Sequence, residues 1–306
     1  MVASSGPGSS QPQPVPLASG QRRPFVLALD ATSVYWANFS VYGDCQGSIQ
    51  KVPLDGGSPT TLASQQNAPG GIGVDGAFVY WTGGPCADGY PALQKVPVSG
   101  GAAILVASWW VNDPIAVGPT GIYGTGSVGE HSTITLVGAP LGAGPTVEAV
   151  PTGALGGNFA SYGIVLDATS VYWIDFNGGG IGKAPLSGGE PTILAPGAGA
   201  GIAVDATSVY WGTGEALMKV PIGGGEPITL AANGSYVAVD EDFAYFTGGP
   251  YPGAVYKVPK AGGPVIVLAT DQNGASGIAV DATSVYWVNT GGDADAAGSV
   301  MKLTPK

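Results

Sequence analysis

The chain has 306 residues, with Lys+Arg 10, Asp+Glu 21, one His and two Cys, for a formal net charge of −11. Only 10% of residues are charged, against roughly 25% in an ordinary soluble domain, and the acidic balance excludes a general nucleic-acid binder, which needs a basic footprint. The 53 Gly and 26 Pro point toward low complexity, yet 44% hydrophobic residues and seven Trp supply the apolar surface for a core, and no apolar run reaches the roughly 18 residues of a membrane span.

Residues 1–13, MVASSGPGSSQPQ, have the composition of a flexible tether. They lack the basic n-region and apolar h-region of a signal peptide. From residue 14 onward one phrase recurs. A strand ending in Val-Asp is followed by a short turn, Val-Tyr-Trp, a variable loop, Lys-Val-Pro-Leu, Gly-Gly and Pro-x-x-Leu-Ala. Its Asp anchors are Asp30, Asp75, Asp167, Asp205, Asp240 and Asp281, with Gly118 in the same place in a degenerate copy. The period is about 42 residues, which is propeller-like.

Local chemistry sets the elements within each copy. GIAVD, SVYW and MKVPI are short and rich in Val, Ile and aromatics, so they read as strands. DATS and GG between them are turn signals. An Asp followed by Thr-Ser hydrogen-bonds its own turn, which accounts for the repeated Asp without chemistry. No segment holds a 3.6-residue period, so almost no helix is expected.

The two ends complement each other. The last copy stops after its third strand, at Val300–Leu303, while Pro14–Ser19 matches the fourth-strand pattern of Pro59–Ser64. The sequence therefore predicts an all-β fold: a single seven-bladed β-propeller over 14–306, with four-stranded antiparallel blades. A strand at about 14–19 completes the last blade, and closure leaves only short protected edges.

The strand copies YWAN (35–38), YWTG (80–83), YGTG (123–126), YWID (172–175), YWGT (210–213), YFTG (245–248) and YWVN (286–289) resemble those of YWTD propellers, and the layout is similar to NHL-type propellers. That resemblance implies the propeller fold; it departs in blade number and in the Thr-Asp half of the motif, so receptor-type ligand binding does not transfer. The Ser/Gly/Pro tail resembles the spacers behind the anchoring Cys of bacterial secreted lipoproteins, which implies an extracytoplasmic protein, secreted or envelope-tethered, with a lipid anchor upstream.

In a four-strand meander the first-to-second and third-to-fourth turns lie on one side. The second-to-third loops and the crossings between blades lie on the other. The first set is short and repetitive, the second variable, and variable loops on a rigid scaffold carry function. Trp36, Trp81, Trp173, Trp211 and Trp287 share one repeat position and are assigned to packing between blades. Trp109, Trp110, Phe39, Tyr42, Tyr90, Phe159, Tyr162, Phe176 and Tyr251 fall instead on the variable side.

Rigid aromatics supply contact area at low entropic cost, and sugar rings stack on such faces. The expected ligand-binding set is Trp109, Trp110, Asn112, Asp113, Phe159, Tyr162, Phe176 and Tyr251, for a carbohydrate or extracellular protein. The same side holds acids that include Asp44, Asp88, Asp113 and Asp271, against only Arg22, Arg23 and His131. Asp293 and Asp295, in a Gly-rich loop, form a fragment of a calcium loop that lacks the closing Glu, so Ca2+ is the one cofactor considered.

Cys45 and Cys86 lie on the same side of adjacent blades and are expected to form a disulfide in an oxidising compartment. Any His-dependent triad must use His131, a loop residue, and the Gly-rich stretches lack the Lys-Ser/Thr of a phosphate loop. The leading expectation is a non-enzymatic binding module. A metal-assisted lyase or hydrolase with acids at the axial channel mouth is the alternative, and an interaction scaffold without a small ligand the third.

Overall fold

The computed structural model describes residues 12–86, 92–107, 111–119, 121–127, 134–139, 148–149, 161–175, 179–292 and 297–306, the side chains of 111–113, 125–127, 134–139, 148–149 and 161–162 excepted. All regular structure among the described residues is strand. The strands gather into six four-stranded sheets and one five-stranded sheet, each antiparallel. The inner strands are Pro24–Leu29, Ile72–Val74, Val111–Val117, Ser161–Leu166, Gly201–Val204, Gly234–Val239 and Ala275–Val280. Each touches the next in this order, and the last returns to the first. The sheets thus stand around one axis as a propeller.

The ring closes at the chain ends. Val15–Gln21 pairs with Gly298–Leu303 in antiparallel register, Val15 opposite Lys302 and Gln21 opposite Gly298. One expectation needs correction: the sheet that begins with Pro24–Leu29 has five strands, not four. Gly84–Pro85, from the loop of the next sheet, pairs with Asn67 and Gln66 on its outer strand. The adjacent Cys86 is bonded to Cys45 of that sheet, which brings the dipeptide to the edge.

Packing follows the repeat. Trp36, Trp81, Trp173, Trp211 and Trp287 are all at most 1% exposed, as are Tyr35, Tyr80, Tyr172, Tyr210, Tyr245 and Tyr286. Burying one such ring contributes roughly 4–6 kcal/mol by area, an upper bound set by the extended-chain reference.

Polar bonds join neighbouring sheets. Gln66 Oε1, on an outer strand, accepts from Trp81 Nε1 (3.0 Å) and Gln94 Nε2 (2.9 Å) of the next sheet. Gln21 accepts likewise from Trp36 (3.1 Å) and Asn38 (3.1 Å), and Gln272 from Trp287 (3.0 Å) and Asn289 (3.1 Å). The residue before each of these Gln, namely Gly20, Gln65 or Asp271, has a left-handed φ of +54 to +68° that turns the chain into the next sheet. Lysines of the third strands do the same on the other side. Lys183, Lys219 and Lys302 lie over Tyr172, Tyr210 and Tyr286 and donate to carbonyls of Ile222, Lys260 and Leu54 in the following sheet.

The repeated Asp is occupied by its own turn. In all six copies Oδ1 accepts two turn amides at 2.7–3.0 Å. Oδ2 accepts the hydroxyl of the Tyr five residues on, at 2.6–2.9 Å. Lys260 adds a 2.8 Å ion pair to Asp205, and Lys306 a 2.7 Å pair to Asp240, each from the next sheet. Burial acts to raise these carboxyl pKa values, but the hydrogen bonds together outweigh it. All six lie below the ordinary 3.8, with Asp240 drawn down to about 2. Burial, then the bond to the carboxylate, raises all six tyrosines above 10, Tyr286 to about 12.

Two measurements check this account. Gln66→Ala leaves the buried Trp81 N–H without its acceptor and should lower stability by about 1–3 kcal/mol in guanidinium unfolding. Depressed carboxylate pKa values stabilise the fold above the unfolded value and lose that contribution as pH falls through the folded values. Raised tyrosine pKa values stabilise it below about 10 and lose the contribution above. Stability against pH should therefore be flat through neutrality, fall steeply below about pH 4 and fall again above about pH 10; a thermal midpoint unchanged at pH 2 would contradict the shared Asp-Tyr turn.

Candidate ligand-binding face

The variable side is built at the junction where the ring closes. Residues 21–23 leave the closing strand and enter the first inner strand, and three consecutive side chains do different work. Gln21 holds Trp36 and Asn38. Arg22 pairs with Asp44 at 3.1 Å. The exposed Arg23 guanidinium lies over the ring of Phe39, 5.8 Å from its centroid. Arg23 has φ +46°, a conformation that strains a non-glycine residue by about 1–3 kcal/mol. The Phe39 amide donates to the Arg23 carbonyl (3.3 Å), which ties the strained residue to the loop that carries the ring.

That loop is held from several directions. Arg22 grips Asp44, and the amide of Gly43 donates to Asn67 Oδ1 at 2.7 Å. Ser40 Oγ donates to the Gln66 carbonyl (3.1 Å) and accepts the amide of Ala68 (3.1 Å). The disulfide joins Cys45 to Cys86, with Cα atoms 5.6 Å apart. The expected pairing of the two cysteines is present.

Between these supports lies a cavity of about 380 Å3 lined by Arg23, Phe25, Phe39, Thr290 and Gly292. Phe25 is 45% exposed, and its ring meets Tyr236 edge to face at 5.7 Å. The inner strand between those two residues carries Ser276 and Gly277; a Cβ on Gly277 would lie 2.8 Å from the Phe25 carbonyl oxygen, so glycine permits the approach. Tyr251 stands beside the cavity: its hydroxyl donates to Asn273 Oδ1 and lies 3.2 Å from where a Cβ on Gly292 would be. At 72% exposed, Tyr251 presents most of its ring to solvent.

Of the expected binding residues, Tyr251 is thus placed beside a cavity. Trp109, Trp110, Phe159 and Phe176 lie outside the described residues, as do Asp293 and Asp295. Asn112 and Asp113 are in the inner strand Val111–Val117, and Tyr162 is in Ser161–Leu166, rather than in loops. The inner strands begin earlier than the repeated phrase indicates. Phe25 and Tyr236 precede the recurring aliphatic positions and carry no signal in the repeated phrase. Arg23 was visible only as one of two arginines among many acids.

The axial channel has different chemistry. Its wall near the variable side includes Leu27, Ile72, Ile115, Ile164, Ile202, Val237 and Ile278, and a chamber of about 470 Å3 toward the other side is lined by Ala, Val, Leu, Ile and Gly. The six anchor Asp residues at that end are engaged in their turns. Among the described residues no three His, Cys, Asp or Glu side chains come together as a metal site.

No family model and no curated protein sequence matches the chain. Solved structures are similar to it. An oligogalacturonate lyase in complex with manganese aligns over 97% of this chain and 94% of its own, at 12% identity and a TM-score of 0.68. A Mycobacterium tuberculosis puromycin-hydrolyzing peptidase aligns over 99% of this chain at 15% identity and a TM-score of 0.66. The match covers 55% of the peptidase, so this chain spans about half its length. A chain of a nidogen–laminin complex aligns over 78% of this one at 19% identity, with a TM-score of 0.46. The resemblance to YWTD and NHL repeats is thereby narrowed to what the first two likenesses carry, an all-β propeller.

The disulfide gives a direct test of how the Phe39 loop is held. It closes a separation of 41 residues, for which the chain-entropy account gives about 4 kcal/mol. Reduction, or Cys45→Ser with Cys86→Ser, should lower unfolding stability by that order; an unchanged guanidinium midpoint would assign the loop's rigidity to its hydrogen bonds and ion pair alone.

Proposed function

We propose that the protein is an extracytoplasmic binding module, secreted or tethered to the envelope, that recognises a carbohydrate or protein ligand through aromatic and acidic loops on the variable face of the propeller. The observation that carries this reading is the cavity beside the closing strand. Its size is in the range of small-ligand sites. It has two phenylalanine walls, a guanidinium at its edge and a wall loop fixed by a disulfide. Fixed walls reduce the ordering cost of binding. The disulfide also supports an oxidising compartment, and the lipid anchor belongs to the same proposal. Trp109, Trp110, Asn112, Asp113, Phe159, Tyr162 and Phe176 are proposed as further contacts on this face, and Ca2+ at Asp293 and Asp295 as an accessory.

A metal-assisted lyase or hydrolase takes second place. It draws on acids at the axial mouth, and the six anchor Asp carboxylates are already bonded to turn amides and tyrosines, Asp205 and Asp240 also to lysines. An interaction scaffold without a small ligand leaves the cavity unexplained.

Glycan arrays and protein pull-downs with the wild type, Phe25→Ala/Phe39→Ala and Trp109→Ala/Trp110→Ala test the reading. At least a tenfold loss of a wild-type hit is expected for the phenylalanine pair, with an unchanged thermal midpoint. Retention of every hit by both double variants would remove the proposal.

A further inference from the structure

We infer that the ligand of the Arg23 cavity is an anionic saccharide, a sugar bearing a carboxylate that Arg23 binds; this rests on the cavity being the binding site. The first reason is electrostatic. In a chain of net charge −11, Arg22 is neutralised by Asp44, whereas the ion pairs among the described residues leave Arg23 out. Its guanidinium is exposed at the rim of an apolar cavity. The contact with the Phe39 ring, 5.8 Å from Cζ to its centroid, is a cation–π attraction that consumes no N–H group, and a guanidinium with free N–H groups takes a carboxylate through two parallel bonds.

The second reason is that the position is built. The left-handed backbone at Arg23 is tied to the Phe39 loop by a main-chain hydrogen bond, and that loop is tied to two sheets. The side chain is therefore presented from a fixed base. Such strain at a surface position favours a functional reading where an outlier is observed.

The third reason selects a sugar over a peptide. Two of the five lining residues are aromatic, Phe25 and Phe39, a residue type suited to the C–H face of a pyranose ring. The polar groups near them are a Thr290 hydroxyl and the Tyr251–Asn273 pair, which match ring hydroxyls.

The test uses oligoglucuronates and their carboxyl-reduced, neutral counterparts, titrated against the intact protein by calorimetry. The acidic form should bind at least tenfold more tightly than the neutral one, and this comparison needs no variant. Arg23→Gln should bring oligoglucuronate binding down to the neutral level, Arg23→Lys should recover part of it, and Phe39→Ala should weaken both forms. Equal binding of both forms, still sensitive to Phe39→Ala, would overturn the anionic assignment and leave the cavity as a saccharide site. Capture of a protein through Phe39 with no saccharide binding would overturn it in favour of a peptide ligand. Binding of either form that ignores both Phe39→Ala and Arg23→Gln would overturn the site itself, as would a lack of any ligand.

Discussion

The pairing of Val15–Gln21 with Gly298–Leu303 is the constraint on which the remaining structure depends. A ring of sheets built from consecutive repeats must join its first member to its last, and here a strand from the beginning of the chain supplies the outer edge of the final sheet. The register puts Gln21 opposite Gly298, so the chain leaves the closing strand directly beneath the first sheet's second-to-third loop. Gln21 then reaches Trp36, Arg22 reaches Asp44, and Arg23 reaches Phe39. Closure, loop fixation and the candidate cavity arise from three adjacent residues.

The same economy of position governs the other junctions between sheets. Where a Trp needs an acceptor for its buried indole N–H, a Gln stands fifteen residues earlier: Gln21 for Trp36, Gln66 for Trp81, Gln272 for Trp287. Where the aromatic is Phe246, with no donor, the equivalent place holds Ala231. At Trp211 it holds Pro196, and that indole N–H is buried without a partner. A buried donor without an acceptor carries a penalty, so this junction is held by apolar packing and by the bond from Lys183 to the Ile222 carbonyl instead.

Function and axis are separated. Among the described residues every inner strand contributes aliphatic side chains to the channel wall, and the six anchor Asp carboxylates toward its far end are engaged in their turns. The polar and aromatic groups available to a ligand lie off the axis, above the closing junction, where variable loops and the crossing between sheets converge. A charged group in an aliphatic tube would bear a desolvation penalty, whereas at the rim of the ring Arg23 keeps its hydration until a ligand displaces it.

Much of this was legible in the sequence, for a physical reason. A repeat with a fixed order of Asp turn, aromatic strand and Gly-Gly turn dictates its own hydrogen bonds locally, since each carboxylate bonds amides two and three residues on. The complementary ends of the chain announced the closing strand, and the placement of Cys45 and Cys86 on one side of adjacent sheets announced their bond. The candidate cavity was not legible in the same way. Arg23, Phe25, Phe39 and Thr290 come from opposite ends of the chain and meet only because the ring closes. The role of Arg23 depends on which neighbour takes Asp44, and the close approach of the Phe25 backbone to the adjoining inner strand depends on Gly277. Local sequence determines what is bonded within a repeat; only the closed tertiary structure decides which side chains from distant repeats share a surface, because that depends on through-space distances that no periodicity encodes.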